Sequence, residues 1–225
     1  SLIGEDGSAL LASVILKSDS LGLALLDTST GRAWAQQFSG SSRFDRLRDE
    51  MLRWSPAELV TSSKDAGNES LRSVIINVDG LSISTHECSP KRRMEVVSHH
   101  LEIADLGSID LDSRPYGMEA CGLAASYISS LHLIDAVPLR EISIDDDSDY
   151  MALDQTTLKN LELTQTLLGE RKGSLLHAID QTRTWMGRRM LKEWLLRPLM
   201  NKNRIAERHS AISSLVRASR RLADI

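Results

Sequence analysis

Aromatic side chains are scarce in this chain. Four Trp, three Tyr and two Phe make up 4% of its 225 residues. Stacking platforms for unpaired bases need aromatics interleaved with basic residues, and none is read among the basic residues of the last 75 positions. There are two cysteines, Cys88 and Cys121, in unrelated contexts, which excludes a disulfide framework or a spaced zinc set. No apolar run approaches the roughly 18–20 residues of a membrane span. The opening SLIGEDGSALLASVILKSDS lacks a basic leader and carries Glu5 and Asp6 ahead of its apolar part, so no signal peptide is expected. The first residue is not Met, and the chain is expected to be an excised piece. A phosphate loop is missing too. Gly169 to Ser174 lacks the G-x-x-x-x-G-K-[ST] order and a preceding strand, and reads as a helix–helix turn.

What is present is an ordinary globular composition, 41% hydrophobic and 26% charged, with a marked asymmetry. Residues 1–150 carry 13 Lys+Arg against 24 Asp+Glu, whereas residues 151–225 carry 14 against 7. A sign switch of this kind marks a domain boundary, placed here at 1–145 and 146–225. The cluster Asp145, Asp146, Asp147 and Asp149 lies at the switch. As a calcium loop it fails at its sixth position, Tyr150, and its twelfth, Thr156. It reads as a solvated linker.

The first part reads as a mixed-sheet α/β domain. ALLASVILK (9–17) is an apolar run of strand length, LGLALLD a second strand, and RAWAQQF a third. In the third, Ala33, Ala35 and Gln37 fall on one face and Trp34, Gln36 and Phe38 on the other. Ser42 is placed to cap a helix carrying Phe44, Leu47, Met51 and Trp54 that stops near Ser55-Pro56. AELVTSS is a short strand, and SVIINVDG with LSISTHE reads as one or two more extended pieces. Ser89-Pro90 opens a helix with Met94, Val97 and Leu101 in a row, where His99-His100 reads as a surface or half-buried pair, without the spaced partners of a metal site. The Gly/Ala/Ser-rich GMEACGLAASYISSLHLI reads as a buried helix whose small side chains admit another backbone.

The second part reads as all-helical. Asp154, with Thr157 three residues on, is placed to cap a helix continued by Leu158, Leu161 and Leu163–Leu167. Gly169 and Gly173 bracket a charged turn, and Ser174 opens SLLHAI. Thr182 is placed to cap a helix with Met186, Met190 and Trp194 in one row and Leu191 and Leu195 in the next, stopped by Pro198. The last helix carries Ile205, Ile212, Leu215 and Val216 as a stripe. With few partners for that stripe, it is expected to be poorly ordered or to pair with another chain, the second domain being truncated.

The order Asp154, Thr157, Asn160, Leu161, Glu162, Leu163, then Ser174-Leu175-Leu176, then Thr182, Thr184, Gly187, Arg189, Leu191, Trp194, Leu195, Pro198, Leu199 resembles the MutS family of DNA mismatch-recognition proteins. Ile205, Arg208 and Ala211-Ile212 continue the register. Gly22 to Gly31, Ser55-Pro56-x-Glu58 and Tyr127 match more loosely. The resemblance implies an RNase H-like connector domain followed by the start of the helical core, or lever, domain. It implies a non-catalytic segment that couples mismatch binding to an ATPase and offers a docking surface to a MutL-type partner. In the whole protein it implies a homodimer or heterodimer on mismatched DNA, with ATP and Mg as cofactors, acting in the cytoplasm or, in a eukaryote, the nucleus. The family's Phe-x-Glu wedge is absent here, and no cofactor is expected in this segment. Arg171, Lys172, Arg188 and Arg189 are the candidate contacts to a DNA backbone or to another domain.

Two other readings stand beside it. An RNase H-like nuclease needs three or four converging carboxylates to hold two metal ions. The first strand has no acid at its middle, leaving Asp27, Glu50 and Asp79 to be drafted. The other reading is an interaction module of a MutS relative working outside mismatch repair.

Overall fold

A computed structural model describes residues 10–78, 80–103, 114–131, 139–144, 149–151 and 153–223. The chain divides into two compact units, Ser1–Asp145 and Asp146–Ile225.

The first unit is built on three antiparallel strands, β1 (Leu10–Leu16), β2 (Ser20–Asp27) and β3 (Arg32–Ser39). Their short connections leave no room for a crossover. Strands β4 (Glu58–Thr61) and β5 (Ser82–Thr85) add in parallel outside β1, and β6 (Glu141–Ser143) adds in parallel outside β3. The sheet order is β5-β4-β1-β2-β3-β6. The sheet is mixed and carries helices on both faces.

The two faces follow the period-two alternation. Leu11, Ile15, Ala24, Leu26, Ala33 and Ala35 bury against one cluster with residues of α4 (Pro90–Ile103) and α5 (Pro115–Ser130). Ala12, Val14, Leu23, Leu25, Trp34 and Phe38 bury on the other, against α1 (Arg43–Trp54) and α3 (Glu69–Ile75). Trp34 and Trp54 stack there with ring centroids 5.7 Å apart. Gln36 points to the α1 face and Gln37 to α5, where its amide oxygen accepts from Tyr116 N at 3.0 Å.

Helix α5 lies close because its contacts are glycines. A Cβ on Gly22 would sit 1.9 Å from the Tyr116 carbonyl oxygen, and one on Gly122 would sit 2.1 Å from that of Arg93. The small residues of α5 thus admit a strand beneath and α4 alongside.

Three expectations for this unit change. Ser42 precedes α1 without a side-chain cap bond, because its backbone (φ −85°, ψ 3°) does not present the hydroxyl to the first turn. SVIINV is not extended: Asn68 caps α3 by accepting from Leu71 N at 3.1 Å, and Leu71, Val74 and Ile75 form a buried helical face. Of that region only β5 is a strand, while α2 (Ser63–Ala66) fills the polar connection before it. The edge strand β6 has no counterpart in the sequence reading. Asp79, Asp145–Asp147 and the side chains of His100 and Leu101 lie outside the described residues.

The second unit is helical, with α6 (Gln155–Asn160), α7 (Leu175–Ile179), α8 (Trp185–Leu196) and α9 (Lys202–Ala223). Helix α6 does not run on through the leucines. It ends at Asn160, and Glu162 takes a positive φ of 48°. The carbonyls of Glu162 and Leu163 then accept from Leu175 N and Leu176 N at 2.9 and 2.8 Å. Backbone partners across the turn replace the helical ones. Gly169 and Gly173 adopt φ of 81° and 100°, the left-handed region that favours glycine. Helix α9 is formed through Ala223, with Ile212, Leu215 and Val216 exposed. Met186 and Met190, in the apolar row of α8, are exposed as well.

Thr182 is not the cap of α8. Thr184 is, accepting from Gly187 N at 3.1 Å. Replacing Thr184 with alanine should cost about 1 kcal/mol of α8 first-turn stability, read as roughly fivefold faster amide hydrogen exchange at Gly187. The same change at Ser42 should leave α1 exchange unaltered.

Candidate functional site

Two places in the chain bear on function, one in each unit. The first is where the α/β sheet would hold nuclease chemistry. The middle of β1 is Ser13, fully buried, its hydroxyl donating to the Ala120 carbonyl of α5 at 2.6 Å. Thr61, at the end of β4, is likewise buried and donates to Val14 O at 2.9 Å. Both are neutral hydroxyls satisfied by backbone carbonyls.

The drafted acids are engaged elsewhere. Asp27 closes the β2–β3 turn, its Oδ1 accepting from Ser29 N at 2.9 Å and from the Ser29 hydroxyl at 2.5 Å, a local Asx arrangement. Glu50, on the buried side of α1, accepts from Trp54 Nε1 at 3.0 Å, Gln36 Nε2 at 3.3 Å and Arg53 Nη1 at 2.5 Å. Among the described residues, no group of three His, Cys, Asp or Glu side chains could hold a metal ion. Cys121 is buried in the sheet-facing side of α5, and burial pushes its thiol up to about 12. No described helix is long and apolar enough to cross a membrane.

The second place is the basic surface of the helical unit, and Asp180 organises it. Directly after α7, the Asp180 Oδ1 accepts from Thr182 N at 3.1 Å and from the Thr182 hydroxyl at 2.5 Å. Its Oδ2 takes two guanidinium groups, Arg171 Nη2 at 2.8 Å and Arg188 Nε at 3.1 Å. The charged turn and α8 are thus tied to one carboxylate. Arg171 and Arg188 remain about one third exposed (36% and 37%) with much of their charge already answered. Lys172 is exposed, and Arg189 is half-buried on α8. The four candidate cations therefore differ: two are structural ties, one is a surface ammonium, one sits within the helix packing.

The Thr182 hydroxyl bond, then the Thr182 N–H and the charges of Arg188 and Arg171, hold the Asp180 carboxyl below the ordinary aspartate range. A carboxylate depressed in the folded state adds stability above its unfolded pKa and loses it as pH falls through the folded value. The turn–α8 region should accordingly loosen below about pH 4. Asp180→Asn should flatten that acid response in a pH series of circular dichroism.

The remaining motif residues build helices and corners. Asp154 caps α6, its Oδ1 accepting from Thr157 N at 2.7 Å. This contact is the leading cause holding its carboxyl below the usual range. Asn160 and Leu161 end α6 with both side chains exposed, and the Glu162 carboxylate accepts from Leu167 N at 2.7 Å. Gly187 lies in the first turn of α8, where a Cβ would approach Thr184 Oγ1 at 3.1 Å. Trp194 carries the Arg208 guanidinium 4.0 Å over its ring. Pro198 follows the end of α8 and accepts from Met151 N at 2.8 Å.

Asp149 is no free linker acid. It accepts from Asn201 Nδ2 at 2.8 Å and Arg204 Nη1 at 2.9 Å, which hold its carboxyl low. The sequence reading takes Asp149 for a solvated linker acid and does not single out Asp180. A D-x-T pair at 180–182 is the one signal for the latter, since Asp before Thr favours a local turn.

Comparison with known proteins places these two units in order on one family. Residues 9–141 match the model of MutS domain II, and residues 156–225 match that of MutS domain III. The chain is 31% identical over 219 residues to a DNA mismatch repair protein MutS of Symbiobacterium thermophilum, covering 96% of this chain and 25% of that protein. Proteins of the same name from Thermosynechococcus vestitus and Methanococcoides burtonii are 32% and 31% identical over 221 and 199 residues. They cover 92% and 86% of this chain, and 25% and 22% of their own lengths. The chain thus spans about a quarter of the length of the curated relatives it matches. With the mixed sheet under domain II and the helical unit under domain III, this chain belongs to the MutS family.

Proposed function

We propose that this chain is the connector and the opening of the lever of a MutS-type mismatch-recognition protein, and that its work is mechanical. Residues 1–145 form the connector and residues 146–225 the lever segment. Together they carry a conformational signal between mismatch binding and ATP hydrolysis elsewhere in the parent protein, and the connector offers a docking surface to a MutL-type partner. The parent acts as a homodimer or heterodimer on mismatched DNA, in the cytoplasm of a bacterium or the nucleus of a eukaryote, and ATP and Mg are its cofactors outside this segment.

The observation that carries this reading is the pairing of a rigid sheet unit with a helical unit, matched in order by MutS domains II and III. Transmission between distant sites needs elements that move as units. A sheet closed by glycine contacts on α5 is such an element. The middle of β1, where a nuclease acid would sit, holds Ser13 bonded to backbone, and the drafted Asp27 and Glu50 are held by local partners, which favours a connector over a nuclease.

The purified chain should neither hydrolyse ATP nor prefer a mismatched duplex over a matched one. Steady-state phosphate release and competition binding measure both. Turnover above background, or clear mismatch selectivity, would oppose the reading.

A further inference from the structure

The geometry points to a mechanical shunt in the helical unit, and we propose that the strap Asp149–Tyr150–Met151 routes load directly onto α9, past α6, α7 and α8. This inference gives the coupling reading a physical path and takes its meaning for the parent protein from that reading.

Chain order alone would deliver a pull from upstream to α6 first, because α6 is the next element after the strap. The contacts say otherwise. Met151 N donates to Pro198 O at 2.8 Å and Met200 N donates to Asp149 O at 2.7 Å. They form a short antiparallel bridge with Tyr150 opposite Leu199. Side chains reinforce it at the same spot. Asp149 accepts from Asn201 at 2.8 Å and Arg204 at 2.9 Å. The guanidinium groups of Arg197 and Arg204 lie over the Tyr150 ring at 4.1 and 5.5 Å. Arg197 ends α8 and Arg204 lies in the first turn of α9. The strap is therefore welded to the elbow between α8 and α9.

Strap and elbow run antiparallel, so a pull at Asp149 and at α9 loads the Met200–Asp149 bond first and the Met151–Pro198 bond behind it. Only when both have parted does load reach the α6 turn, which holds Glu162 at positive φ and leaves Leu161, Leu167 and Leu168 exposed. Cation–π contacts and a charge-assisted pair add to the strap. The stretch between strap and elbow forms a closed loop that carries no load while the strap holds.

An optical-trap measurement on the full chain tests this. Handles are attached at Arg140→Cys, beside the linker, and at Ser213→Cys on α9, in a Cys88→Ser background. The strap's rupture should appear as one step that frees about 46 residues, roughly 150 Å of contour at about 3.4 Å each. In Tyr150→Ala, which removes both ring contacts, the bound lifetime at constant force should fall about tenfold. Asp149→Asn, which keeps shape and removes the charge, should shorten it by a smaller factor and keep the step size. Gradual lengthening at low force in the unsubstituted chain, or an unchanged lifetime in both variants, would overturn the shunt. Neither result bears on whether a MutL-type partner docks, so failure here is separable from failure of the coupling reading.

Discussion

Replacing Gly22 with alanine should destabilise the α/β unit by about 3 kcal/mol or more, the upper end of what overpacking a core costs. The added Cβ would stand 1.9 Å from the carbonyl oxygen and 2.2 Å from the carbonyl carbon of Tyr116. Both are backbone atoms at the start of α5, so no side-chain rotation relieves the overlap. The helix must lift instead. Lifting it separates Gly117 from the Gln36 backbone, which a Cβ there would approach at 2.8 Å. It also strains the Ser13–Ala120 hydrogen bond. Gly67, with φ in the ordinary helical range and its nearest neighbour at 3.4 Å, supplies the control and should tolerate alanine within about 1 kcal/mol. Urea unfolding followed by tryptophan fluorescence reads both, since Trp34 and Trp54 report this unit's core. A Gly22→Ala chain as stable as its Gly67→Ala counterpart would mean that α5 does not sit where its glycines place it.

Glu119→Ala should cost the same unit roughly 3–5 kcal/mol, the typical effect of stripping one partner from a buried ion pair. Glu119 lies on α5 with its Oε2 3.2 Å from Arg93 Nη1 of α4 and its Oε1 3.2 Å from Lys17 Nζ, just past β1. The Arg93 and Glu119 side chains are only 9% and 11% exposed. Lys17 keeps access to water; Arg93 does not. Alanine would leave a desolvated guanidinium without the acid it bonds, with Glu87 acting on it only through the longer-range field. Glutamine, which retains an acceptor at the same place, should cost about half as much. The Arg93→Met, Glu119→Leu double substitution should recover most of the loss, because paired apolar groups need no partner. Additive losses in that double variant would contradict the assignment of the pair.

Much of the sheet could be read from residues 9–38, because alternation is a strong signal wherever both faces are buried. Trp34, Gln36 and Phe38 do lie opposite Ala33, Ala35 and Gln37. β6 escaped because Glu141-Ile142-Ser143 is three residues at an edge, too short to show a period. SVIINV misled through its β-branched composition, whereas Asn68, one short polar side chain before it, decided for helix by capping the first turn. The leucine run after Asn160 has helical spacing, yet its carbonyls find better partners in Leu175 and Leu176, a long-range choice that local pattern does not contain. The basic surface shows the same limit more sharply. Charge counting groups Arg171, Lys172, Arg188 and Arg189 as equals. Only the fold brings Asp180 beneath two of them, and only the fold turns Asp149 from a linker acid into an anchor at the α8–α9 elbow.

These features describe a chain whose polar groups mostly answer one another, with its glycines, caps and buried ion pairs spent on holding rigid units. That fits the transmitting role proposed above. The most direct test of its role is capture of a purified MutL-type protein from the same organism on the immobilised chain, at physiological salt and without DNA or nucleotide. Saturable capture that survives removal of residues 146–225, and is lost in the Gly22→Ala chain, is the predicted result. No capture by the folded chain, or capture that needs only residues 146–225, would contradict the assignment of the sheet unit as a connector with a partner surface.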